Sequence, residues 1–358
     1  MVASAGPIKV AYVVLALNMG GLERVVLRLV ARLDRTRFEP VVCALDEPGG
    51  LAPDLARLGV PLVVVHRNPG VDLGVAVRLA RILRREGVRV VHTHNAASHL
   101  YGSLAAHVLR LRTGKRPPVV HTKHGRDEPG NPRRVLLHRF SSAICDRVVA
   151  VSDDAASVAI RIEHVSPRKV MTILNGVDTD EFRPRPEQAE ARAALGAPID
   201  GFHVGCVARL ATVKDHATLV EAFARFRAAR PDAHLTLIGD GPERAALEKQ
   251  VEGAAVTFTG ALPRREALAW VAAADVLLHP SAVEAAPTVV REARALGVPV
   301  VACDAGDVAA WARDDAGIRV AAASPDGLAR ALEAVLEAVL DAGGDASARK
   351  PCNPSRFD

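Results

Sequence analysis

The sequence predicts an α/β chain folded as two Rossmann-like domains, each a parallel sheet covered by helices. Three observations predict it. Short apolar runs alternate with helical patterns from end to end. The alternation is interrupted once, by a polar Pro-rich passage, and then restarts. Hydrophobic residues make up 49% of the 358 residues but aromatics only 3%, so the cores rest on Val, Leu, Ile and Ala. That mix suits strands buried on both faces.

In the first half the strand-like runs are Ile8–Leu17, Pro40–Asp46, Pro61–Arg67, Val88–His94, Pro118–Gly125, Arg147–Ser152 and Val170–Gly176. Helical patterns separate most of them. In "LERVVLRLVARL", Val25, Val26, Leu29, Val30 and Leu33 follow a 3.6-residue period. The interruption is "DTDEFRPRPEQAE", Asp178–Glu190, whose prolines and charges suit a linker. The runs resume at Phe202–Leu210, Ala233–Gly241, Ala255–Leu262, Ala274–Ser281 and Val298–Asp304. Repeated βα units imply right-handed crossovers. The expected organisation is a first domain over 1–177, a linker over 178–200, a second domain over 201–342 and a tail over 343–358. Strand C-terminal ends should line a cleft between the domains, where such sheets take ligands.

Several function classes are excluded. No apolar run reaches the roughly 18 residues of a membrane span. Ile8–Leu17 lacks the basic flank and cleavage site of a signal peptide and reads as a first strand. The five cysteines are scattered and never form C-x-x-C, as in a reduced cytosolic protein without a zinc framework. A net charge of +5 suits nucleic acid, anionic lipid or a phosphorylated substrate, or simply an Arg-rich set of solvated helix faces. Aromatic and basic residues do not interleave as on an RNA-binding sheet, so no nucleic-acid partner is expected.

The most informative stretch is "LLHPSAVEAAPTVVREARALGVPVVACD", Leu277–Asp304, which reads strand, loop, helix, strand. Pro287 suits the first helical position, leaving the amides of Thr288, Val289 and Val290 free to meet an anion. Glu292 lies one turn beyond, on the face of Thr288. A carboxylate there accepts hydrogen bonds from vicinal hydroxyls such as those of a ribose. Glu284, before the helix, can accept hydroxyls of a second sugar. Acids flanking an anion site fit a ligand with hydroxyls on both sides of a diphosphate, which describes a nucleotide-sugar. The plain alternative is two solvated glutamates near a helix start.

In "VARLATVKD", Arg209 and Lys214 follow the first strand of the second domain and can neutralise a diphosphate; otherwise they are surface cations. Gly20 and Gly21 let backbone approach a ligand but lack the third glycine of a dinucleotide fingerprint. "GDGPER" likewise has Arg244 in the third-glycine place. His92 and His94 share one face of their strand, and His121 and His124 end the next. No carboxylate or thiolate completes a ligand set with them, so no metal site is expected, and His124 reads as a polar contact at the cleft. The D-x-D at Asp178–Asp180 lies in the linker and reads as turn chemistry.

Together these segments resemble the retaining GT-B glycosyltransferases, the nucleotide-sugar family with the E-x7-E signature. "EAAPTVVREARALGVPVVA" is similar to that signature, with Glu284 and Glu292 in register, and "ARLATVKDHATLVEAF" to the phosphate-binding segment. "GGLERVV", "VVHTHN", "HTKHGRD", "VAVSDD", "ILNGVDTDEF" and "IGDGPER" follow in the family's order, covering nearly the whole chain. "MGGLERVV", "VVHTHN" and "HGRD" further resemble the branch associated with bacterial exopolysaccharide clusters. The resemblance implies that Arg209 and Lys214 bind the donor diphosphate, Glu292 holds the ribose diol and Glu284 contacts the transferred sugar. His124 would lie beside that sugar and assist the reacting hydroxyl, and Gly20 and Gly21 would approach the phosphates. It implies retention of anomeric configuration, no metal and no cofactor beyond a UDP- or GDP-linked donor.

Three departures stand out. Ala285–Ala286 replaces the usual small and aromatic pair, leaving a roomier sugar pocket. "CDAGDVAAW" lacks the usual Gly-Gly then Glu, and the chain stops at "CNPSRFD", about where family members begin a helix returning to the first domain. The leading expectation is a cytosolic glycosyltransferase acting on a saccharide, in particular a lipid-linked one. A sugar-nucleotide epimerase of similar layout and a non-catalytic nucleotide-sugar binder are the alternatives. Last, "NPRRVLLHRFSSAICDR", Asn131–Arg147, sets Val135, Leu136 and Phe140 beside Arg133, Arg134 and Arg139. It reads as a helix resting peripherally on an anionic membrane, or as an ordinary helix packing its apolar stripe on the sheet.

Overall fold

The computed structural model describes residues 6–18, 20–125, 132–178, 187–281 and 283–341. It divides into two compact units, Met1–Leu174 and Asn175–Asp358. Both are parallel sheets with alternating helices.

The first unit has seven strands in the order β3-β2-β1-β4-β5-β6-β7. They are β1 (Ile8–Val14), β2 (Phe38–Ala44), β3 (Leu62–Val64), β4 (Val90–Thr93), β5 (Val119–Lys123), β6 (Arg147–Ala150) and β7 (Val170–Thr172). Side chains alternate between the faces of this sheet. Ala11 and Val13 of β1 pack with Val91, Val119 and the helices α3 (Gly74–Arg85) and α4 (Ala96–Thr113). Val10, Tyr12 and Val14 face the other way, toward α1 (Gly21–Ala31) and α2 (Ala52–Arg57). Asn95 caps α4 in a reciprocal box with Ser98, and Ser152 caps α6 (Asp153–Arg161), satisfying amides that open a helix. Between β5 and β6 runs α5 (Pro132–Ile144).

The second unit has six strands in the order β10-β9-β8-β11-β12-β13. They are β8 (His203–Val207), β9 (His234–Ile238), β10 (Val256–Gly260), β11 (Val276–His279), β12 (Val300–Cys303) and β13 (Ile318–Ala321). On one face Val204, Cys206, Leu235 and Leu237 pack against Phe223 and Phe226 of α8 (His216–Ala229) and Leu332 of α13 (Pro325–Asp341). On the other, Leu277, Val300 and Ala302 meet α10 (Arg264–Ala273) and α11 (Thr288–Ala295). In each sheet the strand order reverses beside the first strand, between β1 and β4 and between β8 and β11. Such switch points leave a crevice at the strand C-terminal ends.

The expected linker is corrected over part of its length. Gln188–Leu195 forms a helix, α7, in the second unit. Its buried Arg192 donates to Asp275 at 2.6 Å and to the Ala273 carbonyl at 3.0 Å, and Gln188 reaches Asp275 at 2.8 Å. The helix begins two positions after Pro186 in the sequence. Residues 179–186, most of the Asp178–Asp180 turn and the expected tail lie outside the described residues. Among the described residues no helix is long and apolar enough to cross a membrane.

Candidate active site

The β8–β11 switch point gathers most of the residues that the sequence singled out. After β8 the chain runs through Arg209 to a single 3-10 turn, Thr212–Lys214, and Asp215 then caps α8 from the left-handed region, at φ 50°. The loop after β9 lies directly beneath: a side chain at Gly239 or Gly241 would collide with the carbonyl of Ala208 or Leu210. These glycines therefore pack one loop on another, and Gly239, at φ 144°, also needs the conformational freedom. After β11 the loop carries Glu284, and Gly306, at φ 59°, lies so close to the Ala285 carbonyl that no side chain would fit. The Asp307 amide donates to that carbonyl at 3.2 Å. The unusual "CDAGDVAAW" thus supports the Glu284 loop through its backbone.

Lys214 and Glu284, 70 residues apart, form an ion pair across these two loops. His279, at the end of β11 and only 2% exposed, places Nε2 3.6 Å from the same carboxylate. Burial alone would raise the Glu284 pKa; His279 and the Lys214 charge overrule it and hold the carboxyl at about 2. Glu284 is therefore an anion at neutral pH and acts only as a hydrogen-bond acceptor. Arg209 is exposed and makes no hydrogen bond or ion pair among the described residues. It remains available for a ligand anion.

Pro287 is the N-cap of α11, one position earlier than expected, with φ −66° and ψ 105°. The Val290 amide is consequently used by the Pro287 carbonyl at 3.2 Å, which leaves the amides of Thr288 and Val289 heading the helix. Glu292 is buried on α11 and accepts from Arg264 of α10 at 2.8 Å.

The first unit places its candidates differently. Gly20 caps α1, but neither Gly20 nor Gly21 has positive φ. The Glu23 carboxylate lies where a Cβ on Gly20 would go, so an acid covers the end of α1 expected to approach phosphates. The four strand-end histidines are split between the faces of the sheet. His94 stacks on Tyr12, His92 lies tilted beside it with the two histidine ring centroids 4.2 Å apart, and His94 Nδ1 meets His124 Nε2 at 3.0 Å. His121 turns to the opposite face, with Nδ1 3.0 Å from Thr93 Oγ1. Burial pushes the His124 pKa down to about 3, so it is neutral at pH 7.

Comparisons with known proteins agree with this fold. Residues 19–181 match Glycosyltransferase Family 4, and residues 201–338 match Glycosyl transferases group 1. The solved structure of Anabaena Alr3699/HepE in complex with UDP aligns with a TM-score of 0.82, covering 98% of this chain and 96% of that one at 19% identity. The chain thus carries two glycosyltransferase domains on a GT-B fold. It is 26% identical over 314 residues to the Escherichia coli UDP-Gal:alpha-D-GlcNAc-diphosphoundecaprenol alpha-1,3-galactosyltransferase, covering 82% of this chain and 79% of the relative. It is 31% identical over 286 residues to a D-inositol 3-phosphate glycosyltransferase of Mycolicibacterium paratuberculosis, covering 75% of this chain but only 63% of the relative's length.

Three residues of this candidate site are not legible in the sequence. Arg264 sits 28 positions before Glu292, beyond any local pattern. His279 closes an apolar strand and was read as part of it. His216 opens α8 and is buried, with neither ring nitrogen partnered among the described residues. Burial pushes its pKa to about 4, with Lys214 and His279 among the neighbours that act on it. A histidine at the boundary of an element, where ligands bind such sheets, was the available signal.

Proposed function

We propose that this glycosyltransferase moves a sugar from a UDP- or GDP-sugar, with retention, to a saccharide or lipid-linked saccharide acceptor in polysaccharide or glycoconjugate synthesis. The observation that carries the proposal is the Lys214–Glu284 pair beside the head of α11, at the β8–β11 switch point. One cation and one acid at the end of a helix suit the phosphate and the sugar of a single ligand. As the acceptor oxygen bonds to the sugar C1, the bond from C1 to the diphosphate oxygen breaks; charge grows on the diphosphate, whose departing oxygen takes the acceptor's proton. Arg209, Lys214 and the Thr288 and Val289 amides meet it, so the proposal needs no divalent ion there. Glu284 accepts hydroxyls of the transferred sugar, and Glu292, held by Arg264, accepts the ribose diol. His124 is assigned to the acceptor hydroxyl as a neutral hydrogen-bonding group, since a pKa of about 3 makes it a weak base. The roles of Gly20 and Gly21 at the phosphates rest on the family resemblance.

A lipid-linked acceptor is supported by α5. Its inward residues are polar, His138, Ser141 and Ser142, whereas Leu136 and Phe140 are 67% and 49% exposed beside exposed Arg133 and Arg139. Val135, Leu137 and Ile144 are half-buried, so the apolar residues of α5 are divided between the core and an outer face. A basic, apolar outer face suits an anionic bilayer and a cytoplasmic, peripheral location. The name of the Escherichia coli relative describes an acceptor carried on diphosphoundecaprenol.

A panel of nucleotide-sugars read by thermal shift tests the donor. A ligand at 100 times its Kd stabilises by about 2.7 kcal/mol. The cognate donor is then incubated with saccharide and lipid-linked acceptors, and the product's anomeric configuration is read by NMR. A changed sugar-nucleotide formed without acceptor would identify an epimerase. Donor binding without transfer or hydrolysis would identify a binding protein, and an inverted product would remove the retaining assignment.

A further inference from the structure

The face of the first sheet turned away from His94 and His124 carries a second histidine cluster. His99 of α4, His121 of β5 and His138 of α5 are 0%, 2% and 5% exposed, and one ring nitrogen from each lies within 4.8 Å of the others. His99 is the telling member: neither of its nitrogens has a hydrogen-bond partner among the described residues. The hydroxyls of Ser103 and Ser141 are also buried without partners among the described residues. Ser103 stands one turn beyond His99 on α4, and Ser141 one turn beyond His138 on α5. A protein interior rarely leaves so many polar atoms unsatisfied together, which points to an occupant.

We propose that His99, His121 and His138 bind a divalent transition-metal ion of the zinc class, which fastens α5 to α4 and β5.

The donor set decides the class of ion. Imidazole suits zinc and its neighbours, whereas calcium and magnesium require oxygen ligands. Three histidines plus a water or chloride complete four-coordination. Zinc–nitrogen bonds of about 2.0–2.1 Å put tetrahedral nitrogens about 3.3 Å apart, so the cluster must close by about 1.5 Å from its widest separation. His99 is free to supply that movement. It stacks on His121 with centroids 3.7 Å apart and planes at 3°, and turning out of the stack breaks no hydrogen bond. His121 is already oriented, since Thr93 Oγ1 holds its Nδ1 at 3.0 Å and leaves Nε2 for the ion. Burial keeps His99 and His121 neutral, so their lone pairs are available.

Neighbouring cations are spoken for. Lys123 is paired with buried Glu163 at 2.6 Å, and Lys169 donates to the carbonyls of Ser142, Ala143 and Cys145 at the end of α5. The ion has no part in the chemistry proposed for Lys214 and Glu284, which lie in the other unit.

The full chain, freed of metal by dialysis against a chelator, is titrated with Zn2+ in competition with a chromophoric indicator. One equivalent should bind, and Co2+ should give the visible absorption of a four-coordinate, nitrogen-rich site. His99→Gln and His138→Gln, which remove a ligand but keep a polar side chain, should weaken binding by more than about 100-fold, whereas exposed His66→Ala should not. Far-UV circular dichroism checks that the variants are folded. The Co2+ spectrum of the unaltered protein decides the matter even if they are not. Failure of that protein to take up one equivalent, a six-coordinate oxygen-type Co2+ spectrum, or full affinity in both folded glutamine variants would overturn the site. The cluster would then be a hydrated polar core.

Discussion

Arg264 donates to Glu292 at 2.8 Å, joining the start of α10 to the middle of α11. The acid assigned to the ribose is therefore buried with a cation fixing its direction. A carboxylate in that setting offers a preset acceptor geometry, at no cost in ordering a flexible side chain when the nucleotide arrives.

Replacing Glu292 by Ala should weaken binding of the cognate nucleoside diphosphate. Hydrogen bonds to a charged group contribute roughly 1.5–3 kcal/mol, equivalent to a rise in Kd of about ten- to a hundredfold. Isothermal titration with the sugar-free diphosphate measures it, and an unchanged Kd would remove Glu292 from the ribose. Arg264→Ala should instead lower stability by roughly 1–3 kcal/mol, since it leaves a buried carboxylate without this partner.

The two diphosphate cations should separate in behaviour. Arg209 is exposed and makes no hydrogen bond or ion pair among the described residues, so Arg209→Ala should leave the melting temperature nearly unchanged, within about 0.5 kcal/mol, while turnover falls. Lys214 neutralises Glu284, so Lys214→Ala should lower both turnover and stability. Turnover and melting measured on the same preparations check this. Full turnover per folded molecule in Arg209→Ala would take the diphosphate role from it.

Much of this was legible in the sequence because it is local. The alternation of apolar runs gives the strands, and the spacing of Glu284 and Glu292 places both acids at one helix. What was not legible depends on pairing between distant segments. The strand order that creates the switch point, and the Lys214–Glu284 and Arg264–Glu292 contacts, have no signature at short range. β13 is not legible because it is only four residues long, is interrupted by Arg319 and runs on into alanines of low strand preference. α7 was missed because its only buried apolar residue is Ala191. His99 and His138 escaped because they lie within helices, whereas strand alternation directed attention to His92, His94, His121 and His124.

The acid side of the stability profile should carry the Glu284 contribution. Its folded pKa of about 2 lies below the ordinary carboxyl value of 4.5, so its stabilisation is fully present above pH 4.5 and is lost as pH falls toward 2. A shift of this size corresponds to about 3 kcal/mol at neutral pH. Glu284→Gln should therefore be less stable than the parent at pH 6, with the gap narrowing steadily below pH 4.5. Thermal unfolding between pH 6 and pH 3 measures it; a gap independent of pH would show that the Glu284 charge does not contribute.

The outer face of α5 should decide whether the enzyme meets its acceptor at a membrane. Leu136 and Phe140 lie one turn apart on the exposed side, flanked by Arg133 and Arg139. Apolar insertion and cation attraction should act together, each surface cation contributing about 1 kcal/mol near an anionic leaflet. Co-sedimentation with anionic vesicles should therefore weaken in Leu136→Ser/Phe140→Ser and in Arg133→Glu/Arg139→Glu. Only the contribution of the arginines should fade as salt rises. Because all four side chains are exposed, neither double variant should disturb the fold, and nucleotide binding serves as the control. Transfer to a water-soluble saccharide should be unchanged in both, while transfer to a lipid-linked acceptor presented in vesicles should fall. Recovery of the parent protein in the supernatant with anionic and neutral vesicles alike would remove the membrane from the proposal and leave a soluble acceptor.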